Sequence, residues 1–336
     1  MESLHLTGPP PAVRRLTALA ASLAVPHEVE SGVLRVPIDA AGPLIDAAES
    51  VLAPMEAALV RAVRVDLSSG RPVTILALAS ASPTIANLAA RRRHRRLLQM
   101  INSREGATCG FQPVVELSSG RIAGFEALLR VRMGTTDVTP ADVLSAAEEC
   151  GRLVEVDAVA RSIAIRESAP ALGDRLLFVN LLPASLPVPE EQLAPFVAEV
   201  AELGLAPAQI VMEAPVGPAG MLRRQVESVF AATRASGFRV GLDNVRSDRD
   251  LGALDVVPDF VKLDRSMVRS LASSAGTRAV GNVVRECGFS GATLVAQGIE
   301  SAEQQAAVHD LGIAYAQGWH LGRPGPITAA VANGTA

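Results

Sequence analysis

The chain has 336 residues, 49% of them hydrophobic and 20% charged, which is enough apolar mass for two buried cores and too little charge for a disordered chain. Its 31 basic residues against 35 acidic ones leave a formal net charge of −4. That balance excludes a general electrostatic affinity for nucleic acid or for an anionic membrane surface, so an anionic ligand must be held locally. Cys109, Cys150 and Cys287 form no CxxC pair, which argues against a disulfide framework or a structural zinc and fits a reducing cytoplasm. No apolar run reaches the ~18 residues of a membrane span.

In chain order, Arg14-Arg15 before the apolar stretch Leu16 to Val25 superficially has the flanks of a signal peptide, but Leu16, Leu19 and Leu23 recur at helical spacing, as on the core face of a first helix. The region 1–90 then alternates β-like runs (Val33 to Pro37, Ala62 to Asp66, Val73 to Leu78) with an alanine-rich helical segment, Ala40 to Val60. This is a small α/β pattern. The run Arg91-Arg92-Arg93-His94-Arg95-Arg96 reads as the solvated face of a basic linker helix over 91–105.

The remaining 231 residues, 106–336, have the size of a (β/α)8 barrel. Phe111 to Leu117 and Ile122 to Val131 flank Ser118-Ser119-Gly120 as a hairpin, so the first strand is expected to run antiparallel. Six further β-rich runs follow: Leu176 to Leu182, Gln209 to Ala214, Arg239 to Asn244, Phe260 to Leu263, Thr293 to Gln297 and Tyr315 to Trp319. Helical stretches separate them. A helix opens at Thr139-Pro140, and others are expected over Glu190 to Leu203, Ala219 to Ala235, Arg265 to Cys287 and Ala302 to Leu311. Eight strands alternating with helices imply an α/β, TIM-like barrel behind a small α/β N-terminal domain.

Glu126, Asn180, Glu213, Asp243, Lys262, Gln297 and Gln317 stand within or just after these apolar strands. Burying each alone would cost several kcal/mol, and barrel strand ends converge on one rim, so together they mark a site. Carboxylates with an amide oxygen and no histidine or cysteine form a hard-oxygen set suited to Mg²⁺ or Mn²⁺. With Lys262 and Arg130, the natural chemistry is metal-assisted hydrolysis of a phosphodiester. Lys262 is also the only lysine among the 31 basic residues, and a buried lysine can be tuned for proton transfer where arginine cannot.

The string Phe111-Gln112-Pro113-Val114-Val115 followed by Gly124-Phe125-Glu126-Ala127-Leu128-Leu129-Arg130 resembles the opening of the EAL domain, the cyclic di-GMP phosphodiesterase module. Val179-Asn180-Leu181, Met212-Glu213, Gly241-Leu242-Asp243, Val261-Lys262-Leu263-Asp264-Arg265-Ser266, Ala296-Gln297-Gly298-Ile299-Glu300 and Ala316-Gln317-Gly318-Trp319 continue it in order, to Gly322-Arg323-Pro324. The resemblance implies that Glu126, Asn180, Glu213 and Asp243 surround a first metal. It implies that Lys262 orients or deprotonates the attacking water, and that Arg130, Gln317, Gln112 and Glu300 contact the dinucleotide.

This chain departs from the family at one side of the site. Asn244 and Gln297 stand where the family has acidic residues for a second metal. The segment Asn244-Val245-Arg246-Ser247-Asp248 replaces a glycine-containing DFGTG loop, the stretch to Lys262 is about two residues short, and Val216 replaces a bracing glutamate. Two lost carboxylates predict a weak or empty second site. The expectation is therefore a degenerate EAL protein, inactive or very slow, serving as a cyclic di-GMP receptor or a protein-binding regulatory module in the cytoplasm. The alternative is an active phosphodiesterase forming pGpG. A protein partner and a homodimer enter as partner expectations, nucleic acid does not, and residues 1–90 are expected to sense a signal or bind a partner.

Overall fold

The computed structural model describes residues 2–66, 79, 82–216, 223–251 and 256–333. The chain divides into two compact units, Met1–Ser103 with Ala141–Leu153, and Arg104–Pro140 with Val154–Ala336.

In the first unit, strands β1 (Glu2–Thr7), β2 (Glu28–Glu30), β3 (Val33–Pro37) and β4 (Arg61–Asp66) form an antiparallel sheet ordered β2-β3-β1-β4. β1 and β2 escape the sequence reading. β1 is central nonetheless, because strict alternation sends Leu4 and Leu6 to the main core with Leu34 and Val36, and Ser3 and His5 to the other face. The first helix runs Pro10–Ser22, opening on prolines, which are tolerated in a first turn. It buries Ala12, Val13, Leu16 and Ala20. The alanine-rich stretch is not one helix: it breaks into Gly42–Ala47, a 3₁₀ turn at Ala48–Ser50 and Pro54–Leu59, with Pro54 ending any continuation. The expected run Val73 to Leu78 lies outside the described residues. The basic segment spans two helices, Ile85–Arg93 and Arg95–Ser103, meeting at His94. Thr84 caps the first by accepting from the Asn87 amide.

The second unit holds β5 (Ala107–Glu116), β6 (Ile122–Met133), β7 (Thr136–Val138), β8 (Leu176–Asn180), β9 (Ile210–Pro215), β10 (Arg239–Val245), β11 (Phe260–Leu263), β12 (Thr293–Gln297) and β13 (Tyr315–Gln317). The sheet order β5-β13-β12-β11-β10-β9-β8-β6-β7, with β5 also pairing β6, closes an eight-stranded barrel and leaves β7 as an added hairpin strand on β6. Only β5 is antiparallel to both barrel neighbours, as the hairpin signal required. Helices Pro189–Glu202, Arg223–Ala235 and Ala302–Asp310 match the sequence reading, apart from Ala219 to Leu222, which lie outside the described residues. The helix expected from Arg265 is two, Arg265–Ser270 and Ser274–Ser290, because the Ser273 side chain accepts from the Gly276 amide and starts a new one. The 20-residue helix Leu153–Leu172 was not legible: its apolar residues are spread around it without a single stripe.

Inside the barrel, Val114, Phe178, Val211, Phe260 and Val295 form an apolar layer joined by Leu176 and Tyr315. Side chains alternate along a strand, so the residues two positions nearer the rim point inward above that layer. They are Gln112, Asn180, Glu213, Lys262, Gln297 and Gln317. Glu126, opposite Gln112 in register, joins them, as does Asp243, two residues beyond Gly241, where an added Cβ would touch Glu213 and Val211. No helix among the described residues is long and apolar enough to cross a membrane.

Candidate functional site

The polar layer is organised around Lys262, which has no solvent exposure. Its Nζ lies 2.7 Å from Glu213 Oε2 and 3.0 Å from Glu126 Oε2, and 5.0 Å from the centre of the Phe178 ring below. Burial opposes charge on this ammonium, but the carboxylates of Glu126, Glu213 and Asp243 outweigh it and push the pKa above the ordinary lysine value. Burial likewise raises Glu126, yet Lys262 and hydrogen bonds from Gln317, Lys262 and Asn180 bring it below the usual carboxylate range. Glu213 is the opposite case: burial, reinforced by Glu126 and Asp243, lifts it well above that range despite Lys262. Asp243 is raised by burial and by Glu126.

Gln317 donates through Nε2 to Glu126 Oε2 at 2.5 Å, and Asn180 Nδ2 stands 3.5 Å from both Glu126 Oε1 and the Ala127 carbonyl. On the other side of the ring Asp243 is held by amides. Asn244 Nδ2 donates to its Oδ2 at 2.7 Å and Gln297 Nε2 to its Oδ1 at 2.8 Å. Asn244 has φ of +61°, in the left-handed region that asparagine tolerates, at a register shift between Leu242 and Val245. The rewritten loop beyond closes on Asp250, whose Oδ2 accepts from the amides of Arg246 and Ser247 at 2.8 and 3.0 Å.

Three of the expected ligand contacts bond outside the ring, Gln112 from within its layer and the other two from beyond it. Gln112 donates to the Gly322 carbonyl at 3.2 Å, bracing the turn after β13. Glu300 lies beyond the end of β12, where it accepts from Arg269 Nη2 at 2.9 Å. Arg130 is exposed on β6, with Nη1 on the carbonyl of Leu129.

A residue pair that sequence reasoning missed supports the loop after Asn180. Asp157 and Arg161 are buried and ion-paired, and the Ser185 hydroxyl donates to Asp157 Oδ2 at 2.6 Å. The signal was available as an Asp and an Arg four residues apart in an apolar helical stretch.

Among the described residues, no three His, Cys, Asp or Glu side chains gather closely enough to hold a metal ion. The Lys262 ammonium occupies the space between two carboxylates, and amide N–H groups engage the third. In donor chemistry, Glu126, Asn180, Glu213 and Asp243 fit one hard cation, and Glu213 Oε1 is a buried acceptor with no partner that such an ion would satisfy. Beside Asp243, the amide N–H groups of Asn244 and Gln297 face its two oxygens.

Comparison with known proteins gives this architecture its family. The EAL domain profile matches residues 94–324, and the chain belongs to the EAL domain family. Among curated relatives, the cyclic di-GMP phosphodiesterase PdeB of Shewanella oneidensis is 28% identical over 228 residues, 65% of this chain and 26% of that protein. The blue light- and temperature-regulated antirepressor BluF of Escherichia coli is 23% identical over 213 residues, 62% of this chain and 52% of that protein. These alignments thus span between about a quarter and about half of the relatives' own length. Among solved structures, the FimX EAL domain of Xanthomonas citri in complex with c-diGMP superposes with a TM-score of 0.63 at 22% identity, covering 70% of this chain and 94% of that one.

Proposed function

We propose that the barrel is a degenerate EAL domain that binds cyclic di-GMP without hydrolysing it at a useful rate, and that it acts as a receptor or regulatory module. The observation that carries this reading is the state of Asp243: both of its oxygens accept an amide N–H, from Asn244 and from Gln297. A second divalent ion beside Asp243 would meet two neutral amides where two carboxylates would hold it. At an effective dielectric of about 20, each unit charge lost at ~4 Å removes on the order of 4 kcal/mol of attraction before desolvation, doubled for a divalent ion. Two-metal hydrolysis needs both ions to clamp the attacking and leaving oxygens.

One cation remains in the proposal. Glu126, Asn180, Glu213 and Asp243 would hold a single Mg²⁺ or Mn²⁺, which when bound supplies positive charge against a phosphodiester. Lys262, kept charged by its carboxylates, suits orienting a water or phosphate oxygen better than accepting a proton. Arg130, exposed on the strand that carries Glu126, would meet the anionic ligand. The antirepressor name of one relative supports a regulatory role with a protein partner. The N-terminal unit is proposed as the sensory or partner-binding part, and a homodimer and a cytoplasmic setting belong to the same proposal.

The alternative, a working phosphodiesterase, is favoured by the complete first-cation set and the placement of Lys262. Incubating the purified chain with cyclic di-GMP in excess Mg²⁺ and then Mn²⁺ decides between them. The receptor reading expects calorimetric binding with no linear pGpG; steady pGpG production in either metal overturns it.

A further inference from the structure

The helix Leu153–Leu172 buries two charged side chains, Asp157 and Arg161, at 5% and 1% exposure. As a stabiliser a buried ion pair is a poor choice, because desolvation cancels most of its Coulomb energy and apolar side chains of similar volume do as well or better. What it does provide is direction. The residues of this turn bond to two different parts of the barrel unit.

One end holds the loop after β8. Pairing with β9 ends at Asn180 opposite Glu213, and Asn180 itself is exposed, with its Nδ2 3.5 Å from Glu126 Oε1. Beyond it the sheet supplies one more bond, from the Leu181 amide to the Glu213 carbonyl at 2.8 Å. Asp157 takes over from there: its carboxylate accepts the Leu182 amide and the Ser185 hydroxyl, the latter at 2.6 Å, while Arg161 fixes the carboxylate. The other end holds the start of the barrel chain. Ser162, adjacent to Arg161 and buried, accepts from Arg104 Nη2 at 2.8 Å and donates to Glu199 Oε1 at 2.5 Å. Arg104 directly follows the helix Arg95–Ser103 and has φ of +60°, a strained conformation for a side chain of this size that persists only where neighbours hold it.

We infer that the turn Asp157–Ser162 is a lever that couples the chain at Arg104 to Asn180, so that a pull on the exit of the basic helices displaces the amide beside Glu126. Packed helices shift as rigid bodies by about 1–2 Å instead of deforming, and attachments this close on one helix cannot shift independently. The inference rests on the receptor reading for its consequence, because there Asn180 is a ligand to the cation. It adds a route by which events before Arg104 in the chain regulate that site.

The test uses the full chain and two readouts. Hydrogen exchange followed by mass spectrometry reads the loop directly, and calorimetry with Mg²⁺ and cyclic di-GMP reads the site. Arg104→Gln and Ser162→Ala, both at the linker end, should raise exchange at the amides within 181–186 and weaken binding roughly 3- to 10-fold. Ser162→Thr, which keeps the hydroxyl, should restore both. Asp157→Asn should act as the first two do, and combined with Arg104→Gln it should weaken binding no further than the larger single change, since the two act in series. Leu172→Ala, at a fully buried position on the far end of the same helix, lowers stability but should leave the exchange at 181–186 and the affinity unchanged well below its melting temperature. Parent-like exchange and affinity in both Arg104→Gln and Ser162→Ala, or additive losses in the double variant, overturn the lever. If the parent binds no cyclic di-GMP, the receptor reading falls, and the exchange pattern alone upholds or overturns the lever.

Discussion

The two units place charge in opposite ways. In the barrel, one lysine and three carboxylates lie in the interior: Lys262 and Glu213 are fully buried, and Glu126 and Asp243 are 6% and 7% exposed. In the N-terminal unit the basic run is spent at the surface, Arg92 on Asp46, Arg93 on Glu49 and Glu149, and His94 on Glu149. Among the described residues of that unit, three polar side chains are buried, Ser3, His5 and Thr84. A conspicuous string of five arginines thus carries less than one inconspicuous lysine, because electrostatic energy scales with desolvation and not with the number of charges.

The largest expected effect comes from breaking the buried cluster. Lys262→Met removes the only ammonium between Glu126 and Glu213 and leaves uncompensated carboxylates in the barrel. It should cost about 3–5 kcal/mol of stability, read as a fall in the urea midpoint. A loss below ~1 kcal/mol would mean that the carboxylates share protons instead, and that the contrast between the two units is overstated.

Next comes the amide side of the ring. Asn244→Asp together with Gln297→Glu replaces two donors to Asp243 by like charges, so the metal-free barrel should melt at a lower temperature than the parent. Added Mg²⁺ should restore it by mass action. If metal affinity does not rise at all, the rewritten loop through Arg246 and Asp250, and not the ligand set, is the dominant defect. The pair must be changed together, since neighbouring ligands are not additive.

How much of this was legible in the sequence depends on periodicity. Glu126, Asn180, Glu213, Asp243, Lys262, Gln297 and Gln317 each follow an inward position by two, so alternation alone gathers them once the barrel closes. Glu300 falls outside the ring because it lies past the strand end, where alternation no longer governs direction. That Asn244 would turn its amide onto Asp243 from a positive φ was not legible, since it depends on a local register shift. The spacing of Asp157 and Arg161 was legible, but not their third partner Ser185, which is supplied from another element 28 residues away.

In the N-terminal unit, His5 offers a smaller test. It is 3% exposed, its Nε2 lies 2.8 Å from Ser3 Oγ, and its Nδ1 has no partner. Burial, then the charge of Arg35, depresses its pKa below the ordinary histidine value. The unfolded chain therefore binds the proton more readily, and stability present above about pH 6.5 is lost as pH falls through that value toward the folded pKa. His5→Gln should flatten this slope in thermal melts of the full chain between roughly pH 7 and pH 5. An unchanged slope would assign the dependence to other groups.

The smallest expected effect is at the most conspicuous sequence feature. Arg92 makes a bidentate contact with Asp46, and both side chains are 50% exposed. Arg92 holds the Asp46 carboxyl below its usual range chiefly through that hydrogen bond. In water, with salt screening, such a pair contributes about 0–1 kcal/mol. A double-mutant cycle of Arg92→Ala and Asp46→Ala should return a coupling inside that range, shrinking further at 1 M salt. A coupling above ~2 kcal/mol that resists salt would mean that the arginine cluster is desolvated, and the division between a charged interior in one unit and a solvated charge layer in the other would fail.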